Sequence, residues 1–246
     1  MAQFILLYVV LTWLVVGHAR EPPQQHVLAG QPDPKPFPQA AEVVREKLKG
    51  AGIIPHVIDD FSPSLGLHAT WPSKEHALLG NTLKPEKLQD EPSIALHDMH
   101  AASSPSNLVA ANVTYVVALT DPDAPSHDKP KWAEFCHWIA SGTLKPALCD
   151  PKQPVPCPPM LTDLNEIMSY KPPAPPKKTG PHRYVFLAFV PSNGTTDKLH
   201  LSKPSDRKHW GYDTDKGEIK GVREWADENG LAPVGANFIY ALNKKQ

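Results

Sequence analysis

Proline constrains this chain more than any other residue type. Of 246 residues, 29 are proline, more than twice the usual share of about 5%. Each one fixes φ and removes a backbone donor, so it interrupts helices and is confined to the edges or ends of strands. The prolines gather in two stretches, 22–38 and 145–180. A long helical bundle is excluded, and a strand-rich fold with stiff connections is expected. Apolar residues make up 41% of the chain and charged residues 21%, a balance that closes a core. With 25 basic against 26 acidic residues, the charge excludes a nucleic-acid binder that works by charge excess, and also a polyacidic tail.

The N-terminus carries an apolar run, 4–16, shorter than the roughly 20 residues a membrane-spanning helix needs. It closes on Gly17-His18-Ala19, with small residues three and one before Arg20, the pattern of a signal peptide over 1–19. The reading is a secreted or vacuolar protein that touches membranes peripherally at most. Cys149 and Cys157 flank a proline-dense loop tip and are expected to form a disulfide in an oxidising compartment, the alternative being two free thiols. Cys136, beside Phe135 and His137, reads as a small buried hydrophobe. Asn112 and Asn193 each open a glycosylation sequon, and Asn193-Gly194 is also a surface-turn dipeptide.

Along the chain, 20–52 reads as an extended proline-rich leader followed by a short helix over 39–49, stopped at Gly50. The main domain is expected over 53–246. Short strands are expected at Val57-Ile58, 65–69 and 93–96, and central ones at 115–119 and 184–190. The stretch 145–180 reads as a proline-rich insert containing a short helix over 161–170. Val222, Trp225 and Ala226 mark a helix ended by Asn229-Gly230, and 238–242 a terminal strand. Residues 131–140 fit either a helix or a strand.

No Gly-x-Ser-x-Gly, His-Glu-x-x-His, Walker A or Gly-x-Gly-x-x-Gly pattern occurs. No metal or other cofactor is expected, no residue is assigned a catalytic role, and the chain reads as a monomer. Two polar constellations adjoin the two best strands. In Asp121-Pro122-Asp123-Ala124-Pro125, each proline holds its predecessor extended and fixes two carboxylates at a strand mouth. In Gly180-Pro181-His182-Arg183-Tyr184, the period of two sets His182, Tyr184 and Phe186 on one face and Arg183 on the other. A histidine beside a phenol suits an anion such as phosphate. Arg183, if buried, needs a carboxylate, and Asp123 is the expected partner. The alternative is an ordinary turn beside a core tyrosine.

These motifs, in this order and with 131–137 between them, resemble the phosphatidylethanolamine-binding protein family, and most closely its branch of fungal carboxypeptidase Y inhibitors. Leu79–Leu83, Trp210–Tyr212 and Asn237–Tyr240 extend the likeness over about 53–242. The resemblance implies a mainly β, sandwich-like fold with a large central sheet and a few peripheral helices. It also implies a small anion pocket lined by Asp121, His137, His182 and Tyr184, with Pro122 and Gly180 shaping the wall and Trp132 adding an apolar surface. Asp123, Pro125 and Arg183 would be structural. The implied ligand is an anionic phospholipid head group or another phosphate compound. The implied role is binding without catalysis, since no nucleophile, metal or oxyanion device is visible to complete an acid–base pair, and a serine carboxypeptidase is the implied protein partner. A regulatory scaffold or phospholipid carrier without protease inhibition is the alternative. If both histidines charge near neutral pH, phosphate ligands should bind more tightly as the pH falls from about 8 to 6.

Overall fold

The computed structural model describes residues 41–99, 113–147, 157–194, 199–210, 212–213, 218–219 and 221–245. The expected signal peptide, the proline-rich leader up to residue 40, Asn112 and Cys149 lie outside these residues. The expected Cys149–Cys157 bridge therefore does too.

The element order is α1 (Ala41–Gly50), β1 (Leu65–Thr70), β2 (Asn81–Leu83), β3 (Ser93–Asp98), β4 (Thr114–Asp121), β5 (Phe135–Lys145), β6 (Met160–Met168), β7 (His182–Pro191), β8 (Tyr212–Asp213), β9 (Glu218–Ile219), α2 (Gly221–Glu228) and β10 (Leu231–Ala241). Eight strands form one mixed sheet in the order β1-β3-β6-β5-β4-β7-β10-β2, while β8 and β9 pair separately. The sheet curls: Ser64, just before β1, donates its N–H to the Val234 carbonyl of β10 at 2.9 Å.

Two apolar clusters lie on opposite faces of this sheet. Inside the curl, Leu67, Trp71, Leu96, Leu119, Trp138 and Phe186 pack together. On the other face, Val116, Ala118, Val185 and Leu187 meet Val44 and Leu48 of α1 and Val222 and Trp225 of α2. The central strands β4 and β7 are buried on both faces, which explains their nearly unbroken apolar sequences.

Two local expectations are corrected and one open reading is decided. Residues 161–170 do not form a helix: 160–168 is strand β6, paired with both β5 and β3. The prolines on either side give it no helical neighbour to extend, and two adjacent strands, β3 and β5, offer it ladder partners. The stretch 145–180 is thus partly built into the sheet. Val57-Ile58 is not a strand either. Both N–H groups turn back to the Ile53 carbonyl, at 2.8 and 3.2 Å, which buries the two side chains under α1 without any ladder. The ambiguous 131–140 segment resolves into a loop followed by β5.

Candidate ligand-binding site

The site begins with an extra residue in β5. Trp138 pairs with Leu119 and Cys136 with Thr120, so His137 stands opposite nothing in β4. Such a bulge re-aims a side chain and switches the faces that follow it. Cys136 accordingly packs in one cluster and Trp138 in the other, although in a regular strand they would share a face. His137 is thrown toward Tyr184, with ring centroids 5.1 Å apart and edge to face. The alternation of β7 brings His182 to the same side, 6.4 Å from Tyr184 and nearly parallel to it. Asp121 arrives from the end of β4.

These four residues line one cavity of about 120 Å³, with Trp132, Pro125, Lys171 and the proline run 172–176 around the mouth. Pro122 and Gly180, expected in its wall, are not among the lining residues. Pro122 is buried, and Gly180 faces a different cavity. Pro125, expected to be purely structural, borders the cavity directly.

Hydrogen bonding fixes the protonation. Asp121 accepts the Asp123 N–H on Oδ1 (2.8 Å) and meets His182 Nδ1 with Oδ2 (2.8 Å). Thr179 donates its hydroxyl hydrogen to the Pro176 carbonyl at 2.8 Å, so it accepts from His182 Nε2–H at 3.0 Å. With Nε2 protonated, one further proton lies between His182 and Asp121, and the pair is neutral as a unit. Asp121 therefore does not repel an anion as a bare carboxylate would.

His137 donates Nδ1–H to the Lys171 carbonyl at 2.6 Å, which leaves Nε2 as its remaining polar edge. Burial pushes its pKa down to about 4, against the opposing pull of Asp121. The expectation of a charged His137 near neutral pH is thus corrected: the ring is too thoroughly desolvated. Burial, and then the Asp121 charge, hold the Tyr184 phenol well above its ordinary value, so it stays a neutral O–H. At the mouth, Lys208 Nζ lies 4.5 Å and Lys131 Nζ 5.7 Å from the Trp132 ring centre, placing two cations on its π-face.

Facing the opposite way from His182, Arg183 is clamped by Asp123. Nη2 bonds Oδ1 at 2.6 Å, while Nε and the backbone N–H bond Oδ2 at 3.0 and 2.8 Å. Burial raises the Asp123 pKa, but these bonds outweigh it and hold the carboxyl below its usual range.

Two supporting groups had no sequence signal. Arg207 donates to the carbonyls of Cys136, His137 and Ser169, tying the bulge to the segment that carries Lys171. The Lys171 carbonyl itself orients His137. Neither belongs to a local motif, and only the folded chain brings them to the site.

The family model of phosphatidylethanolamine-binding proteins matches residues 73–239. The chain belongs to the phosphatidylethanolamine-binding protein family. Carboxypeptidase Y inhibitor from Saccharomyces cerevisiae is 34% identical over 231 residues, covering 83% of this chain and 97% of the yeast protein. CEN-like protein 1 from Nicotiana tabacum is 28% identical, covering 82% of this chain and 94% of the tobacco protein. Among solved structures, a carboxypeptidase Y inhibitor complexed with its cognate proteinase superposes with a TM-score of 0.67 at 32% identity, covering 83% of this chain and 97% of that one. The phosphatidylethanolamine-binding protein from Plasmodium vivax shares the fold with a TM-score of 0.59 at 20% identity, over 81% and 97% of the two chains. The resemblance to the fungal inhibitor branch and the mainly β family fold read from the sequence are both borne out.

Proposed function

We propose that this member of the family is a carboxypeptidase inhibitor-like binding protein. In this reading its 120 Å³ cavity takes a phosphate-type head group and catalyses no reaction. The observation that carries the protease partner is the likeness running over 97% of the yeast inhibitor, at 34% identity. The cavity supports the ligand class. The neutral Asp121–His182 pair, the Tyr184 hydroxyl and His137 Nε2 form a compact set of polar groups inside an apolar rim. None of the cavity's lining residues is a serine, threonine or cysteine, and burial holds the one hydroxyl among them, the Tyr184 phenol, protonated, so the Asp–His pair there has no aliphatic hydroxyl or thiol to activate. The proposed setting is the secretory pathway, ending in secretion or the vacuole. No described helix is long and apolar enough to cross a membrane.

Incubation with a yeast-type carboxypeptidase Y tests the partner. The expected result is stoichiometric, concentration-dependent loss of peptidase activity, and full activity at saturating protein overturns the inhibitor role. Calorimetry with phosphorylethanolamine tests the cavity separately. Binding weakened about tenfold or more by His137→Gln, equivalent to about 1.4 kcal/mol, supports the assignment. Wild-type affinity in that variant refutes it. Head-group binding without inhibition would leave the carrier reading standing.

A further inference from the structure

The second strand face at the start of β7 opens on a larger cavity, of about 590 Å³, on the other side from the candidate site. We propose that it is a second ligand site, for a phosphate monoester with a small organic body.

Its size falls within the range of about 300–1,000 Å³ usual for small-molecule sites, whereas the 120 Å³ cavity holds little more than a head group. Its polar centre is His127. Nδ1 of His127 meets Asp123 Oδ1 at 2.7 Å, while the side chain is 66% exposed and Asp123 only 2%. A carboxylate can only accept, so Nδ1 carries a hydrogen and the ring presents Nε2 away from Asp123. That edge accepts the P–O–H of a phosphate monoanion or, as imidazolium, donates to a phosphate oxygen. A protic oxyanion satisfies either state, and a carboxylate only one.

The large charges buried behind His127 are already matched. Asp123 takes three bonds from Arg183, and Arg183 Nη1 serves the Ala51 and Gly52 carbonyls at 2.9 and 3.2 Å. The remaining donors along the wall are the exposed Lys178 ammonium and the hydroxyls of Ser126 and Tyr240. Ser126 Oγ already accepts the Lys129 N–H at 3.3 Å, which leaves its hydrogen for a guest. Asp128 supplies an acceptor for a second O–H of the ligand. The Tyr240 ring, Pro181 and Ala51 offer apolar wall to an organic body.

The test is a titration of the full chain with inorganic phosphate and then glycerophosphate, following imidazole resonances by NMR. The expected result is a saturable shift of His127, with glycerophosphate binding more tightly than phosphate. Lys178→Ala should weaken it about tenfold, and His137→Gln, which impairs only the smaller cavity, should leave it in place. Both altered side chains at the larger site are exposed, and near-ultraviolet dichroism of His127→Gln and Lys178→Ala checks that the fold is kept. Absence of a saturable His127 shift, or one unchanged in Lys178→Ala, overturns the proposal. So does a response confined to His137 and His182.

Discussion

His137 keeps its Nδ1–H on the Lys171 carbonyl, so only Nε2 can meet a guest, and burial keeps the ring uncharged down to about pH 4. An anion that gains from an imidazolium must therefore draw a proton into the cavity as it binds. Sulfate is the clean probe, because its own charge is constant over the range. Its affinity should change little between about pH 8 and 6 and climb below about pH 5, as the population of charged His137 grows. In His137→Gln the climb should vanish in calorimetry; if it persists undiminished, another group is responsible. The sequence made the imidazole legible as a site residue because it stood beside the motifs. Its charge state was not legible, because desolvation depends on Trp132, Phe135 and the 172–176 prolines closing over it. The Asp123–Arg183 pair was easier to read: a basic residue alternating onto a buried strand face demands a nearby acid, and the five-residue turn had one to offer.

Among the elements, α2 is tied to the central strands by a buried acid that no motif announced. Glu134 Oε2 accepts from the Thr120 hydroxyl at 2.7 Å and from the Val222 N–H, at the first turn of α2, at 3.3 Å. Gly221, with φ +46°, makes room for it, since a methyl group there would collide with the Glu134 carboxyl. Gly221→Ala should therefore destabilise by about 2–4 kcal/mol, from left-handed backbone strain plus steric overlap. Gly180→Ala has φ +74° but open space around it, and should lose only about 1 kcal/mol. Chemical denaturation of the two variants separates the contributions, and equal losses would show that the carboxyl is easily displaced. The elements most legible in the sequence were those with a single dominant pattern, such as the unbroken apolar runs of β4 and β7. Strand β6 was missed because Leu161, Leu164 and Met168 also suit a helix. Its identity comes from β3 and β5, its neighbours in space.

Across the whole molecule, titration sets how stability varies with pH. Burial drops the pKa of His137 to about 4 and of His68 to about 3, and also lowers that of His97. Each is neutral when folded but protonates when unfolded below about pH 6.5, so each loses stability as the medium acidifies. Burial raises Glu134 to about 7 and also raises Glu91. These two contribute stability that is full below the unfolded value near 4.5 and fades as the pH rises. Between about pH 4.5 and 6.5, the two strongly shifted imidazoles, His137 and His68, outweigh the one strongly shifted acid, Glu134. The net slope is about one proton, or about 1.4 kcal/mol per pH unit, so the melting temperature should fall on acidification. Glu134→Gln removes one opposing contribution, and its melting temperature should fall more steeply; a shallower fall would contradict the assignment of a protonated buried acid.

The bulge at His137 also makes the number of residues in β5 matter as much as their kinds. Removing one amino acid between Phe135 and Trp138 would heal the ladder against β4. The mended strand would be more regular and would keep Phe135 and Trp138 opposite their present partners in β4, yet the imidazole would be lost from the cavity. A length change of one, harmless in a surface loop, would here erase the ligand site while leaving most of the sheet intact.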